Sequence, residues 1–260
     1  DAFGELVEGG ENVDRELAQI REAIEREHGR FGSFYDKSIR WRWDPDASKW
    51  NEYVRWAKKL VELPNFDENE RDYKLEAASK FAAARDAVRS GSSDWLALTI
   101  DAIKEVTGNP VYAGNGAALQ RWLKNQPGDA KELLEAIWKH ADGPLDALDR
   151  FLEDLPEDVV SGDNSRLSLG SVFLWGFSPE SWPYYQYTPF QETYELSGVP
   201  SQPESEDTVA IYEHALDFLD ELRTALGEFD ANIDRLDAQS IVWIFHSLEP
   251  EQLLTSWDVD

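Results

Sequence analysis

Two short motifs have residue types and spacing that could do chemistry. Asp72-Tyr73-Lys74 matches the acid-x-lysine half of metal-dependent nucleases, in which carboxylates hold magnesium and a lysine assists the attacking water. The segment lies in a helical pattern without a partner carboxylate on a strand, so we expect a solvated helical face. Ala113-Gly114-Asn115-Gly116-Ala117 precedes a predicted helix and could cradle a phosphate. It lacks the third glycine and the Lys-Ser/Thr of a P-loop, so we expect a turn and a helix start.

Other catalytic arrangements are missing from the sequence. The chain has no cysteine, which excludes disulfides, thiolate metal sites and cysteine nucleophiles. Its four histidines, His28, His140, His214 and His246, are scattered and form no HExxH spacing. The sequence contains no Walker motif, no GxSxG and no Ser-His-Asp signature. We therefore expect a non-catalytic chain that needs no metal or cofactor.

The stretch from Asn164 to Gly198 carries eight aromatic residues between Trp175 and Tyr194. Three prolines break up any long helix here, so we expect the rings on turns and short segments. Rings on loops favour a binding surface, while the alternative is that they fill a core. As a nucleic-acid reader, the stretch would stack bases on its rings, contact a base edge through its amide and a phosphate through its arginine. The candidate residues are Arg166, Trp182, Tyr184, Tyr185, Gln186 and Tyr187.

A second candidate surface is the basic segment from Asp36 to Lys59. It has seven basic and four acidic residues, a local balance of +3, interleaved with tryptophans. Cations on phosphate and aromatic rings on bases are the usual footprint of nucleic-acid contact. Alternatively, the tryptophans fill a core and the cations pair with neighbouring acids. The candidate contacts are Arg40, Trp41, Arg42, Trp43 and Lys49.

The charge of the whole chain is extreme. It has 52 acidic and 25 basic residues, which give a net charge of −27 over 260 residues. Because molar salt shortens the range of charge repulsion to about 3 Å, acids spread along the whole chain favour a halophilic protein. No apolar run is long enough to cross a membrane, and the first residues do not form a signal peptide. We expect a cytoplasmic protein, and the absence of methionine suggests a piece of a longer product.

Hydrophobic periodicity predicts a mainly α fold: a multi-helix domain with an irregular segment rich in aromatics and proline. We expect a flexible N-terminus at 1–14, a helical subdomain at 15–160, and the aromatic segment with C-terminal helices at 161–260. Stops at Pro64, Gly91 and 108–110 separate the earlier helices. The predicted helices lie at 12–28, from about 46 to 63, at 69–90, from 94 to 107, at 116–125, 128–140 and 143–154, and in two stretches after 207.

A series of short motifs resembles the N-terminal region of McrB-like AAA family ATPases. The resemblance covers about residues 67–246, and its most specific parts are SRLSL with SPESWPYYQYTPF and DRLDAQS. The motifs are Asp72-Tyr73-Lys74-Leu75-Glu76, Asp94-Trp95-Leu96, Ser161-Gly162, Arg166-Leu167-Ser168-Leu169, Phe177-Ser178-Pro179-Glu180, Trp182-Pro183-Tyr184-Tyr185, Thr188-Pro189-Phe190 and Arg235-Leu236-Asp237-Ala238-Gln239-Ser240.

The resemblance implies a helical module that precedes a nucleotide-binding motor, which is absent from this sequence. In that family the N-terminal part recognises target DNA, often by a modified cytosine, while a separate nuclease subunit cuts. The implied function is DNA recognition in a restriction-type defence system, with the motor and the nuclease as partners. The alternative is a helical interaction module that docks a nuclease or sensor subunit.

Overall fold

The computed structural model describes residues 47–139, 143–201, 207–227 and 232–247. In these ranges the chain forms ten α-helices and one short π-helical segment, Asp67–Arg71, and no strand, so the mainly α prediction is confirmed. The helices are α1 (Ala47–Val61), α2 (Asp72–Ser90), α3 (Trp95–Val106), α4 (Ala113–Asn125), α5 (Pro127–Lys139), α6 (Pro144–Asp154), α7 (Asp163–Trp175), α8 (Tyr187–Ser197), α9 (Thr208–Gly227) and α10 (Arg235–Ser247).

Several helix ends follow the predicted signals. Gly91 ends α2 with a φ of +70°, a left-handed conformation that residues with a side chain rarely adopt. Pro144 occupies the first turn of α6, where its missing N–H has no helical partner to lose. The predicted helix at 12–28 lies outside the described residues.

The centre of the core is α7. Leu167 and all residues from Leu169 to Trp175 are buried, so the C-terminal half of this helix is enclosed on every side. Phe173 makes ring contacts with Phe81 of α2, Trp138 of α5 and Phe151 of α6, at centroid distances of 5.7, 5.6 and 5.2 Å. Burying such rings is among the larger apolar contributions to stability, and here it joins four helices.

A second aromatic cluster joins the C-terminal helices to α1. Tyr53 of α1 stacks on Phe245 of α10 at a centroid distance of 4.4 Å and meets the edge of Phe218 of α9 at 6.0 Å. Tyr194 of α8 contacts the same Phe218 at 5.5 Å. This cluster fixes α8 and α10 side by side, and both helices contribute to the cleft described below.

The aromatic stretch differs from the expectation of rings on turns. Trp175 closes α7, while Tyr187, Phe190 and Tyr194 belong to α8, so half of the eight rings lie on helices. Pro189 does not prevent α8, because it is the third residue of the helix, where the backbone N–H has no helical acceptor. Between Trp175 and Tyr194, only residues 176–186 are irregular, and they connect the end of α7 to the start of α8.

The described residues, from 47 to 247, belong to one compact unit. The expected boundary between 160 and 161 falls inside this unit. The expected flexible segment 1–14 lies outside the described residues. Among the helices of the described ranges, none is both long and apolar enough to cross a membrane.

Candidate functional site

Five of the eleven candidate residues belong to the basic segment, and only one of them lies within the described ranges. Arg40, Trp41, Arg42 and Trp43 lie outside the described residues. Lys49 is exposed on α1, and its Nζ donates to the backbone oxygen of Glu195 on α8 at 3.4 Å. Helix α1 also carries Arg55, Lys58 and Lys59 against Glu52, so its charge is +3.

Arg166 supports the backbone instead of facing a phosphate. Its guanidinium donates to the carbonyl oxygens of Val160 at 3.0 Å, Leu155 at 2.7 Å and Leu152. These carbonyls lie at the end of α6 and in the turn that leads to α7, where helix geometry leaves acceptors without partners. The guanidinium of Arg166 therefore joins the end of α6 to the start of α7. This role corrects the expected contact between Arg166 and a phosphate.

Tyr184 and Tyr185 are core residues. Tyr185 is 0% exposed and stacks on Phe190 at 5.2 Å, while Tyr184 meets the face of Trp175 at 5.4 Å. Burial raises the pKa of both hydroxyls well above their usual range. Because their rings are covered on both sides, neither offers a stacking face, and the expected reader role of these two residues is corrected.

Trp182 contributes to the contacts that join the irregular segment to α10. The guanidinium of Arg235 lies over its ring, 5.8 Å from the centroid. The same guanidinium donates to both carboxylate oxygens of Asp220 at 2.8 and 2.6 Å, and to the backbone oxygen of Ser181 at 2.7 Å. Trp182 is half-buried and already has a cationic partner.

Gln186 and Tyr187 are the two candidate residues that line an open cleft. The cleft has a volume of about 560 Å³, and its lining comes from 108–115, 164–168, 186–189 and the end of α10. The Nε2 of Gln186 donates to the carbonyl oxygen of Pro110 at 3.0 Å, which joins the first and third segments. The structure therefore places Gln186, a predicted base-contacting residue, against the loop that contains Pro110, 76 positions away in sequence.

Three helices begin at this cleft. The first turns of α4, α7 and α8 each contribute lining residues, and none of the three N-termini has a side-chain cap. The first N–H groups of a helix have no partner within it, and the helix dipole makes that end partly positive. Free N–H groups at the start of a helix suit phosphate or hydroxyl oxygens.

The lining of the cleft carries no formal charge apart from the ionisable His246. None of its fifteen residues is Asp, Glu, Lys or Arg. Acids make up 52 of the 260 residues, one in five, so about three would be expected among fifteen residues taken at random. His246 itself is paired, with its Nδ1 2.6 Å from the Oε2 of Glu192. The cleft is thus an acid-free patch on a strongly acidic molecule.

Uncommitted polar groups and open rings line the cleft. The Oε1 of Gln186 is buried without a partner. Within the described part of the chain, five further side chains make no hydrogen bond: Asn109, Asn115, Asn164, Ser165 and Thr188. Tyr112 is 74% exposed and Tyr187 42% exposed, and Trp243 lies 5.5 Å from the ring of His246. Such a lining can stack on a flat ligand and hydrogen-bond its edge.

Sequence reasoning missed half of this cleft. The segment Ala113–Ala117 was considered only as a phosphate cradle or as a turn before a helix. The structure places all five residues in the first turns of α4, so the expected turn is wrong and the helix start is confirmed. Tyr112, Asn109 and Trp243 were not proposed as site residues. The available signal was the run at 108–116, which contains three glycines and two asparagines between two predicted helices.

The possible nuclease motif has a structural role. Asp72 and Tyr73 are exposed, as expected for a solvated face, but Lys74 is only 1% exposed and corrects that expectation. Its Nζ donates to Oε1 of Gln239 at 3.1 Å and to Oγ of Ser240 at 2.8 Å, and it lies 3.5 Å from the Oε2 of Glu70. Lys74 therefore joins α2 to α10 beneath the surface, where no substrate reaches it.

Comparison of the chain with models of known families, with curated proteins and with solved structures gave no match.

Proposed function

We propose that this chain is the non-catalytic N-terminal recognition module of a McrB-like AAA ATPase in a restriction-type defence system, and that it binds DNA, including modified DNA. The observation that carries the proposal is the acid-free cleft with open aromatic rings on a molecule of net charge −27. A polyanion is repelled by most of such a surface. The cleft is the place in the described ranges where bases and phosphates find aromatic faces and N–H donors.

The basic helix α1 extends this surface. Lys49 of α1 touches the backbone of Glu195 in α8, and Tyr187 at the start of α8 lines the cleft. Eight residues of helix separate these positions, which is about 12 Å at a rise of 1.5 Å per residue. A nucleic-acid strand that places a base on Tyr187 therefore has Lys49 of α1 within about four nucleotides of that base.

Stacking and hydrogen bonds supply most of the proposed affinity. At molar salt the range of electrostatic attraction falls to about 3 Å, so counterion release contributes little. Each ring that stacks on a base is worth about 1 to 3 kcal/mol. Tyr112, Tyr187 and Trp243 can together provide the necessary binding energy without a large basic surface.

Binding of duplex DNA at molar salt, measured by fluorescence anisotropy, tests the proposal. We expect Tyr187→Ala to weaken binding by about 1 to 3 kcal/mol, because it removes one stacking ring. Tyr73→Ala is the matched control, since Tyr73 is 43% exposed and lies outside the cleft. Absence of binding to any DNA by the folded chain would contradict the proposal. Capture of a nuclease or sensor subunit by such a chain would favour the docking alternative.

A further inference from the structure

The cleft has more polar groups than a bare base can use. A base presents one or two hydrogen-bonding groups along its major-groove edge. The cleft offers five uncommitted side chains, the Oε1 of Gln186 and the first N–H groups of three helices. These groups stand on separate segments, so one flat edge cannot meet them all. The ligand therefore has hydrogen-bonding groups pointing in several directions.

The size of the cleft leads to the same conclusion. Its volume of about 560 Å³ lies in the range of about 300 to 1,000 Å³ that is usual for sites holding a whole small molecule. A single ring fills only part of this space. The remaining space is bordered by the amides of Asn115 and Asn164, on the first turns of α4 and α7.

The lining also favours a neutral substituent on the base. It contains no Asp, Glu, Lys or Arg to pair with a fixed charge, and His246 is paired with Glu192. Amide and hydroxyl side chains both donate and accept, which matches the hydroxyl groups of a sugar. Exposed aromatic faces such as those of Tyr112 and Tyr187 can pack on the C–H face of a sugar ring as well as on a base.

Resting on the proposed function, we propose that the cleft binds a DNA base together with a neutral, hydroxyl-rich substituent, of which a hexose is the simplest example. The base stacks on an aromatic ring at the mouth of the cleft. The substituent occupies the part of the cleft lined by the first turns of α4 and α7, where Asn115 and Asn164 hydrogen-bond its hydroxyl groups.

The test compares three duplexes that differ at one position, which holds cytosine, 5-hydroxymethylcytosine or glucosylated 5-hydroxymethylcytosine. Binding is measured by fluorescence anisotropy at molar salt. We expect the glucosylated duplex to bind at least about tenfold more tightly than the other two, corresponding to about 1.4 kcal/mol. Asn115→Ala should remove most of this preference.

Asn125→Ala is the matched control, because Asn125 is an exposed residue at the other end of α4, away from the cleft. It should keep the full preference. Equal binding of all three duplexes, with sensitivity to Tyr187→Ala, would overturn the hexose inference and leave DNA recognition standing. No binding to any duplex by the folded chain would overturn DNA recognition and, with it, this inference.

Discussion

Lys74 and Glu70 form a buried charge pair between the π-helical segment and α2. Burial lowers the pKa of Lys74 to about 8, and burial raises the pKa of Glu70. Two neutral acceptors from α10 complete the environment of the ammonium group. Removing one member of such a pair lowers the free energy of unfolding strongly, because the other charge remains buried without a partner.

We expect Lys74→Met to lower the free energy of unfolding by about 3 to 5 kcal/mol. The double variant Lys74→Met with Glu70→Gln should recover part of this loss, because it removes both charges. Urea denaturation of the two variants and the wild type measures the effect. Lys124→Met, at an exposed position of α4, is the control and should change stability little. Equal losses in the single and double variants would contradict the pairing.

The same lysine gives a pH dependence with a defined sign. The ordinary pKa of lysine is 10.5 and that of folded Lys74 is about 8. Between these values the unfolded chain holds a proton that the folded chain has released, so the free energy of unfolding rises with pH across this window through Lys74. The rise should be missing in Lys74→Met, as measured by urea denaturation at pH 7.5 and at about pH 10.

At the scale of elements, the contact of α7 with α2 depends on a close approach at Gly176. A Cβ at this position would overlap the side chain of Phe81, with its Cγ 3.0 Å and its backbone Cα 3.3 Å away. The backbone of Gly176 is right-handed, so any penalty for a side chain comes from this contact and not from its φ angle.

We expect Gly176→Ala to lower the free energy of unfolding by about 1 to 3 kcal/mol, because α7 must move away from α2. Gly128→Ala is the control, since a Cβ there has no neighbour within 4 Å. In the first turn of α5 it should be neutral or stabilise by up to about 1 kcal/mol. Thermal or urea unfolding of both variants measures the change in the free energy of unfolding. Equal changes would show that the contact between Gly176 and Phe81 has room for a methyl group.

The helices were largely predictable from sequence, while the cleft was only partly so. Hydrophobic periodicity and helix start or stop residues such as Pro144 and Gly91 are local signals. They locate most helix ends within a few residues. The start of α8 was missed because Pro189 was taken as a break, although a proline in the first turn fits a helix. The approach of Gln186 to Pro110 is a long-range contact that no local pattern encodes.

At the scale of the whole molecule, the charge of −27 sets the response to salt. Repulsion among exposed acids extends over about 30 Å at 0.01 M salt and about 3 Å at 1 M. Partly buried ion pairs, such as those of Arg71 with Asp234 at 2.8 Å and Asp237 at 2.6 Å, are screened much less. Salt therefore weakens the repulsion among exposed acids more than it weakens the attraction within the partly buried ion pairs.

We expect the melting temperature to rise as salt increases from about 0.01 M to about 1 M. Circular dichroism at 222 nm measures the transition. Sodium chloride and potassium chloride should act alike if screening is the cause, whereas a strong difference between them would indicate specific ion binding. A melting temperature that stays constant or falls over this range would contradict the halophilic interpretation.

The neutral lining of the cleft has a kinetic consequence. Most proteins that bind DNA attract it from a distance, and salt slows its arrival. Under the proposed function, an approaching strand must first cross the negative field of the surrounding surface before it reaches the acid-free patch. Added salt weakens that barrier, so the association rate rises with ionic strength. In a salt-rich cell, such a module would ignore most passing nucleic acid and hold only what fits the cleft.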